Sequence, residues 1–468
     1  MIAMVMPHLV LPRTKREDDG SQSKTLTRRL DMWLKGCFTD LHQEAKALLQ
    51  QRQKKSTSQK ERDIFKSFDH QVTSGKIANA LRCLEDEQKG HILSLNEQVG
   101  KKTVNQILRE KHPQPCPLSE EYIVEGPYEQ TIPFHPSIFD NLNARTIRQA
   151  SMKTQGSHGP SGLDANEWRR ILTNFGQSSN NLCRCLAEIS KLLATTELPL
   201  ESLQAYNASR LIPLDKNPGV RPIGVGEVLR RIIGRSILKC ISNDLKLLGG
   251  STQLCLGQKC GIEHAIHSIR DAFDKPEAEA VLQIDATNAF NSLNRSLALA
   301  NISKTCPSLI FALRNSYANP SHLYVNGQVI LSQEGTTQGD PLAMAMYGVA
   351  LLPLVKILED PKTVQKWYAD DGNAVGKLTD LLSTHEKLAK HGPAFGYHIT
   401  KCHIIVKPTF MEKAKEMFKG KDVDIVDGNR VLGSVVGSAT ACDDFKSKVI
   451  SDHSKTILKL AEHAKILP

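Results

Sequence analysis

The chain has 468 residues, 60 Lys and Arg against 50 Asp and Glu, a net charge of +10 and 40% apolar residues. That length supports two or three domains with a large core, and the basic balance suits a polyanionic partner. No apolar run reaches the ~18–20 residues that cross a bilayer, so no membrane partner is expected; eleven cysteines, an odd number with no Cys-x-x-Cys, argue against a disulfide frame or a zinc knuckle.

Residues 1–11 are apolar but lack a basic leader and a small-residue cleavage site. A secretory signal is therefore not expected, and an intracellular chain, cytoplasmic or nuclear, is. Residues 24–62 mix basic and apolar positions at helical spacing. Lys54-Lys55 and Lys60-x-Arg62 sit in a polar stretch that suits a solvated arm or linker as well as RNA binding or nuclear import. Proline-rich stretches at 112–117 and 127–136 mark a boundary or extended linker. Residues 1–140 are expected to be a basic, mostly helical N-terminal region.

Gly159-Pro160-Ser161-Gly162-Leu163-Asp164 precedes a helix carrying Trp168 and reads equally well as a Pro-Gly turn. Residues 210–223 read as two strands joined by an Asn-Pro-Gly turn, with Lys216 and Arg221 flanking the turn on one face, where they can reach a triphosphate. Arg230, Arg231 and Arg235 open a basic amphipathic helix suited to template phosphates. At 280–284 an apolar run ends at Asp285, a buried strand whose last side chain emerges at the sheet edge; a lone acid there also reads as a helix cap. Residues 323–331 are two strands around Asn326-Gly327. Asp340-Pro341 can cap and open the apolar helix over 342–358.

Val364-Gln365-Lys366-Trp367-Tyr368 and Asn373-Ala374-Val375 then read as a strand and its return, closed by Ala369, Asp370 and Asp371. A surface turn also likes Asp-Asp-Gly. Asp285 upstream changes the balance, because three carboxylates brought together repel unless cations bridge them. Two Mg²⁺ ions held roughly 3.5–4 Å apart by such acids activate a hydroxyl and stabilise a leaving pyrophosphate, which is nucleotidyl transfer.

Asp285 with Phe290 five residues on, then Gln338-Gly339-Asp340-Pro341, then Tyr368-Ala369-Asp370-Asp371, in that order, resemble the palm motifs of reverse transcriptases. The pattern is most similar to polymerases of non-LTR retroelements, and the match runs from about Gly159 to Gly437. The resemblance implies an α/β (α+β) right-hand polymerase with fingers and a ferredoxin-like palm over 141–437. A partial helical thumb over 438–468 would follow, cut short at Pro468.

It implies Asp285, Asp370 and Asp371 as metal ligands and catalytic acids, with two Mg²⁺ (or Mn²⁺) as cofactor. Phe290 would lie under the incoming sugar and exclude a 2′-hydroxyl. Gln338 and Gly339 would touch nucleotide and template, Tyr368 would border the primer end, and Lys216 and Arg221 would grip the triphosphate. Residues 395–402 resemble the family's Gly-x-x-x-x-Lys segment, so Lys401 would help protonate pyrophosphate, and residues 431–437 resemble its primer-grip hairpin.

RNA template, DNA primer and dNTPs are the implied partners. Two other readings stand beside this one: an RNA-dependent RNA polymerase, whose family usually carries a second Asp at the Phe290 position and Gly-Asp-Asp at the tip, and a decayed or adopted element fragment that only binds nucleic acid. No endonuclease, RNase H or protease signature is present, so autonomous transposition is not expected.

Overall fold

A computed structural model describes residues 6, 9–10, 19–53, 71–73, 75, 91–125, 134–216, 219–400 and 402–464. Within them the chain is mixed α and β structure with open sheets. The strands are β1 (Gln98–Val99), β2 (Lys102–Thr103), β3 (Ser209–Asp215), β4 (Val220–Gly226), β5 (Ala280–Ile284), β6 (Ser321–Val325), β7 (Gln328–Ser332), β8 (Val364–Tyr368), β9 (Asp371–Gly376), β10 (Cys402–Val406), β11 (Val423–Val426), β12 (Gly428–Val431) and β13 (Ser434–Gly437).

The larger sheet has five strands in the order β11-β10-β5-β9-β8. β5 lies antiparallel between β10 and β9, with Val281 opposite both Ile405 and Val375. Alternate side chains enter different cores: Ala280, Leu282 and Ile284 join one hydrophobic cluster, and Val281, Val375 and Ile405 join another. A strand covered on both faces reads as a mostly apolar run, as residues 280–284 do with Gln283 the one polar member. Helix Leu378–His391 covers the first face through Leu378, Leu381 and Leu388, and helix Gly261–Phe273 the second through Ala265, Ile269 and Phe273.

The second sheet runs β4-β3-β6-β7. Its β6–β7 turn has Asn326 at φ 44° and Gly327 at φ 77°, the two left-handed residues that an Asn-Gly hairpin requires. Strands β3 and β4 pair from Ser209 opposite Gly226 to Asp215 opposite Val220. Asn217 and Pro218 of their turn fall outside the described residues.

Residues 91–125 pack onto this sheet. Leu93, Leu95, Val104 and Leu108 share a core with Leu211, Val220, Leu323, Val325 and Ile330. The stretch holds the β1–β2 ribbon and helix Val104–Glu110, whose Thr103–Gln106 capping box satisfies its first amides. It then runs through the proline-rich 113–117 without helix or strand. Prolines without amide hydrogens suit an extended path and not a helix.

Helices Asp19–Leu34 and Phe38–Gln53 are tied together by Arg28 and Arg29 on Glu44, each at 2.7 Å. Lys54, Lys55, Lys60 and Arg62 lie outside the described residues, as do 127–133. At the far end, helix Ala439–Ala464 leaves Ile450, Ile457 and Leu458 more than 60% exposed. Among the described residues no helix is long and apolar enough to cross a membrane.

Candidate active site

Strands β8 and β9 meet at Tyr368 opposite Asp371, so Ala369 and Asp370 make the turn between them. Ala369 takes φ 55°, a left-handed conformation that an L side chain adopts rarely. A buried amide holds it there: Ala369 N–H donates to Gln253 Oε1 at 3.0 Å and Gln253 Nε2 donates to Ala369 O at 3.2 Å. Residues 252–254 run alongside β8, exchanging Trp367 N–H to Thr252 O (2.7 Å) and Leu254 N–H to Trp367 O (2.8 Å). Tyr397, fully buried, donates its hydroxyl to Asp370 O at 2.7 Å. Gly372 is required opposite Trp367, since a Cβ there would stand 2.6 Å from the indole ring. The tip is thus gripped by groups from two other segments.

Asp285 follows the last residue of β5, and Ile284 pairs with Gly372, which sets Asp285 beside the tip. Its carbonyl accepts from Thr400 N–H at 3.0 Å and Thr400 Oγ1 at 2.9 Å. Asp370 is half-buried, while Asp285 and Asp371 keep access to solvent. Burial, and then the charges of Asp371 and Asp285, push the Asp370 carboxyl up to about 6. Burial and the charge of Asp285 also raise Asp371. The three acids therefore share one electrostatic field. No trio of Asp, Glu, His or Cys among the described residues forms a ready metal cage.

A cavity of about 580 Å³ opens here, lined by Asp285 and Asp370 together with Lys216, Arg221, Phe290, Gln338 and Gly339. Lys216 acts on Asp370, partly offsetting the upward push. Phe290 stacks on the buried Tyr347, ring centroids 4.6 Å apart and planes 20° from parallel, so one of its faces is packed while the residue still borders the cavity. Gln338 and Gly339 come from a loop seated between two elements. Gly335 (φ 62°) crosses the Phe290 carbonyl so closely that a Cβ would lie 2.3 Å from it, and Gly224 N–H donates to Gln338 O at 2.9 Å. Gly339, at φ 110°, would set a Cβ 2.6 Å from Gly224 O. Its lack of a side chain serves the close passage of this loop past β4.

Compared with protein-family models and with curated proteins, the chain finds no match.

Not every residue singled out from sequence reaches the cavity. Asp371 and Tyr368 do not line it; the Tyr368 ring packs toward Gly261 and the cluster around Leu254. Lys401 lies outside the described residues. The basic helix Val228–Cys240 corrects its expected role. Arg230 is buried, ion-paired with Asp340, and Asp340 also accepts the Tyr317 hydroxyl at 2.7 Å. Arg231 donates to the Gln155 and Ser157 carbonyls, and Arg235 alone of the three is exposed. Two of these arginines are structural because the 338–341 loop and the 155–157 turn bring acceptors to them.

Asp340 caps helix Pro341–Ala350 through Leu342 N–H, in keeping with its Asp-Pro sequence. Asp164 caps helix Ala165–Thr173 with Glu167 completing the box, the turn reading of that segment. Sequence reasoning missed Gln253, whose surroundings carry no motif, and Lys111, which also lines the cavity.

Proposed function

We propose that the chain is an RNA-directed DNA polymerase that adds dNTPs to a primer 3′-hydroxyl. One observation carries the reading: a single cavity joins carboxylates that repel each other with the cationic pair Lys216 and Arg221, and Phe290 borders it. Among the described residues no base is ion-paired with these carboxylates; such acids suit a hard divalent cation, and adjacent cations suit a triphosphate. The motif resemblance adds the family. The strand order β10-β5-β9-β8, with helices after β5 and β9, supports a ferredoxin-like palm. On this reading 141–437 is fingers and palm, with β3–β4 as the fingers hairpin and β12–β13 as the primer grip, and 438–468 begins the thumb.

The donor set fits magnesium. Burial and mutual repulsion raise Asp370 and Asp371, and a bound cation relieves that repulsion. Divalent ions held by Asp285, Asp370 and Asp371 would raise the acidity of the primer hydroxyl and offset charge on the departing pyrophosphate. The protein's own part is positioning. Gln253 and Tyr397 hold the tip carboxylates at a fixed place, and Lys216 and Arg221 neutralise phosphate charge. Phe290, backed by Tyr347, presents a rigid edge where a 2′-hydroxyl would sit.

The deciding experiment is primer extension on poly(rA)/oligo(dT) with Mg²⁺, comparing the chain with Asp370→Asn and offering dNTPs or rNTPs. Incorporation of dNTP, lost in the variant, is expected. Preference for rNTPs would make the chain an RNA-dependent RNA polymerase, and no incorporation at all would leave a nucleic-acid-binding fragment.

A further inference from the structure

The cavity has a third cationic lining residue, and it comes from the region before residue 140. Lys111 is the C-cap of helix Val104–Glu110, its N–H donating to Ile107 O at 3.0 Å while His112 N–H donates to Arg109 O at 3.1 Å. Val104 and Leu108 of that helix are fully buried against the core of the β3–β4 sheet, so the helix end is fixed relative to the strands that carry Lys216 and Arg221. On its other side the segment is stitched to the acidic motif: Asn288 Nδ2 donates to Lys111 O at 2.9 Å, and Asn294 Nδ2 to Pro117 O at 3.1 Å. Cys116 N–H also donates to the buried Glu334 at 2.5 Å.

Lys111 therefore stands where three separate segments converge. Burial, and then the charges of Lys216 and Arg221, pull its ammonium below the usual lysine range. Among the described residues no carboxylate pairs with it, nor with Lys216 or Arg221. Helix C-terminal carbonyls favour a cation locally, but they do not explain three like charges around one cavity. Such an arrangement is costly without an anion and is favourable around a polyphosphate.

Resting on the polymerase reading of the same cavity, we infer that Lys111 is a substrate-binding residue that contacts the triphosphate together with Lys216 and Arg221. The N-terminal segment is then a wall of the nucleotide site and not a separate appendage. Helix Val104–Glu110 acts as the mount that presents the ammonium, and Asn288 couples that mount to the turn bearing Asp285 and Phe290.

The test uses the full chain and its Lys111→Gln and Lys111→Arg variants in two assays. Binding of inorganic tripolyphosphate is measured by calorimetry, without template, primer or chemistry. Steady-state primer extension gives KM and kcat for dTTP. Lys111→Gln is expected to weaken tripolyphosphate binding and raise the dTTP KM by about tenfold, with kcat changed far less; Lys111→Arg keeps both near wild type. Thermal unfolding of the variants within a degree or two of the parent excludes a folding defect.

If Lys111→Gln binds tripolyphosphate as the parent does, or the parent does not bind it, the inference is overturned. A merely structural lysine would not be rescued by Arg in binding while leaving thermal unfolding unmoved. Binding that depends on Lys111 in a parent that incorporates no nucleotide would uphold the anion site and reject the polymerase.

Discussion

Asp370→Asn separates the electrostatics of the tip from its chemistry. In the folded chain the carboxyl is pushed from 3.8 up to about 6, roughly two pKa units, and each unit is about 1.36 kcal/mol. The folded state binds this proton more tightly than the unfolded state. The associated stability is thus fully present below about pH 4 and is lost as pH rises through 6. At pH 8 without divalent cations the ionised carboxylate costs up to about 3 kcal/mol, and closer to 1–2 after allowing for solvent at a half-buried group. Asparagine keeps the shape and removes the charge.

In EDTA at pH 8 the variant should therefore unfold at higher urea concentration than the parent, by an amount worth about 1–3 kcal/mol. The advantage should vanish at pH 4. Millimolar Mg²⁺ should stabilise the parent and not the variant, because only the parent keeps the full acidic field. Primer extension by the variant should fall to background. A variant no more stable than the parent in EDTA, or one that still incorporates dNTPs, refutes the account of the site.

Three further substitutions probe its supports. Phe290→Val should narrow the dNTP over rNTP preference by about tenfold or more, read by competing nucleotides in primer extension; unchanged discrimination would return Phe290 to a packing role on Tyr347. Gln253→Leu strips both hydrogen-bond partners from Ala369, which should cost about 1–3 kcal/mol for each backbone group left unpaired. It should lower kcat more than it changes the dNTP KM, measured by urea unfolding and steady-state extension. Arg230→Met leaves Asp340 as a buried charge with only Tyr317 and Leu342 N–H for company; a loss of roughly 3–5 kcal/mol is expected by urea unfolding, and salt dependence of RNA binding should be unaltered.

By itself the sequence determined what is written between near neighbours. Asn326-Gly327 selects the hairpin, and Asp340-Pro341 and Asp164 with Glu167 select helix starts. The mostly apolar run 280–284 suits a strand covered on both faces, and the Asp-Asp pair marks a turn. These depend on φ preferences, capping and period, all local. The motif pattern also singled out Lys216, Arg221, Asp285, Phe290, Gln338, Gly339 and Asp370, all of which line the cavity, before any strand was paired.

Tertiary structure decided which groups meet. Three arginines on one helix look alike in sequence, yet Arg230 turns inward because Asp340 and Tyr317, over 80 residues away, arrive beside it. Gln253 matters only because its segment lies along β8, and Lys111 only because Val104 and Leu108 dock its helix on the β3–β4 sheet. Burial assigns such roles: a polar side chain moved out of water must find a partner, and long-range packing alone sets which partner is within reach.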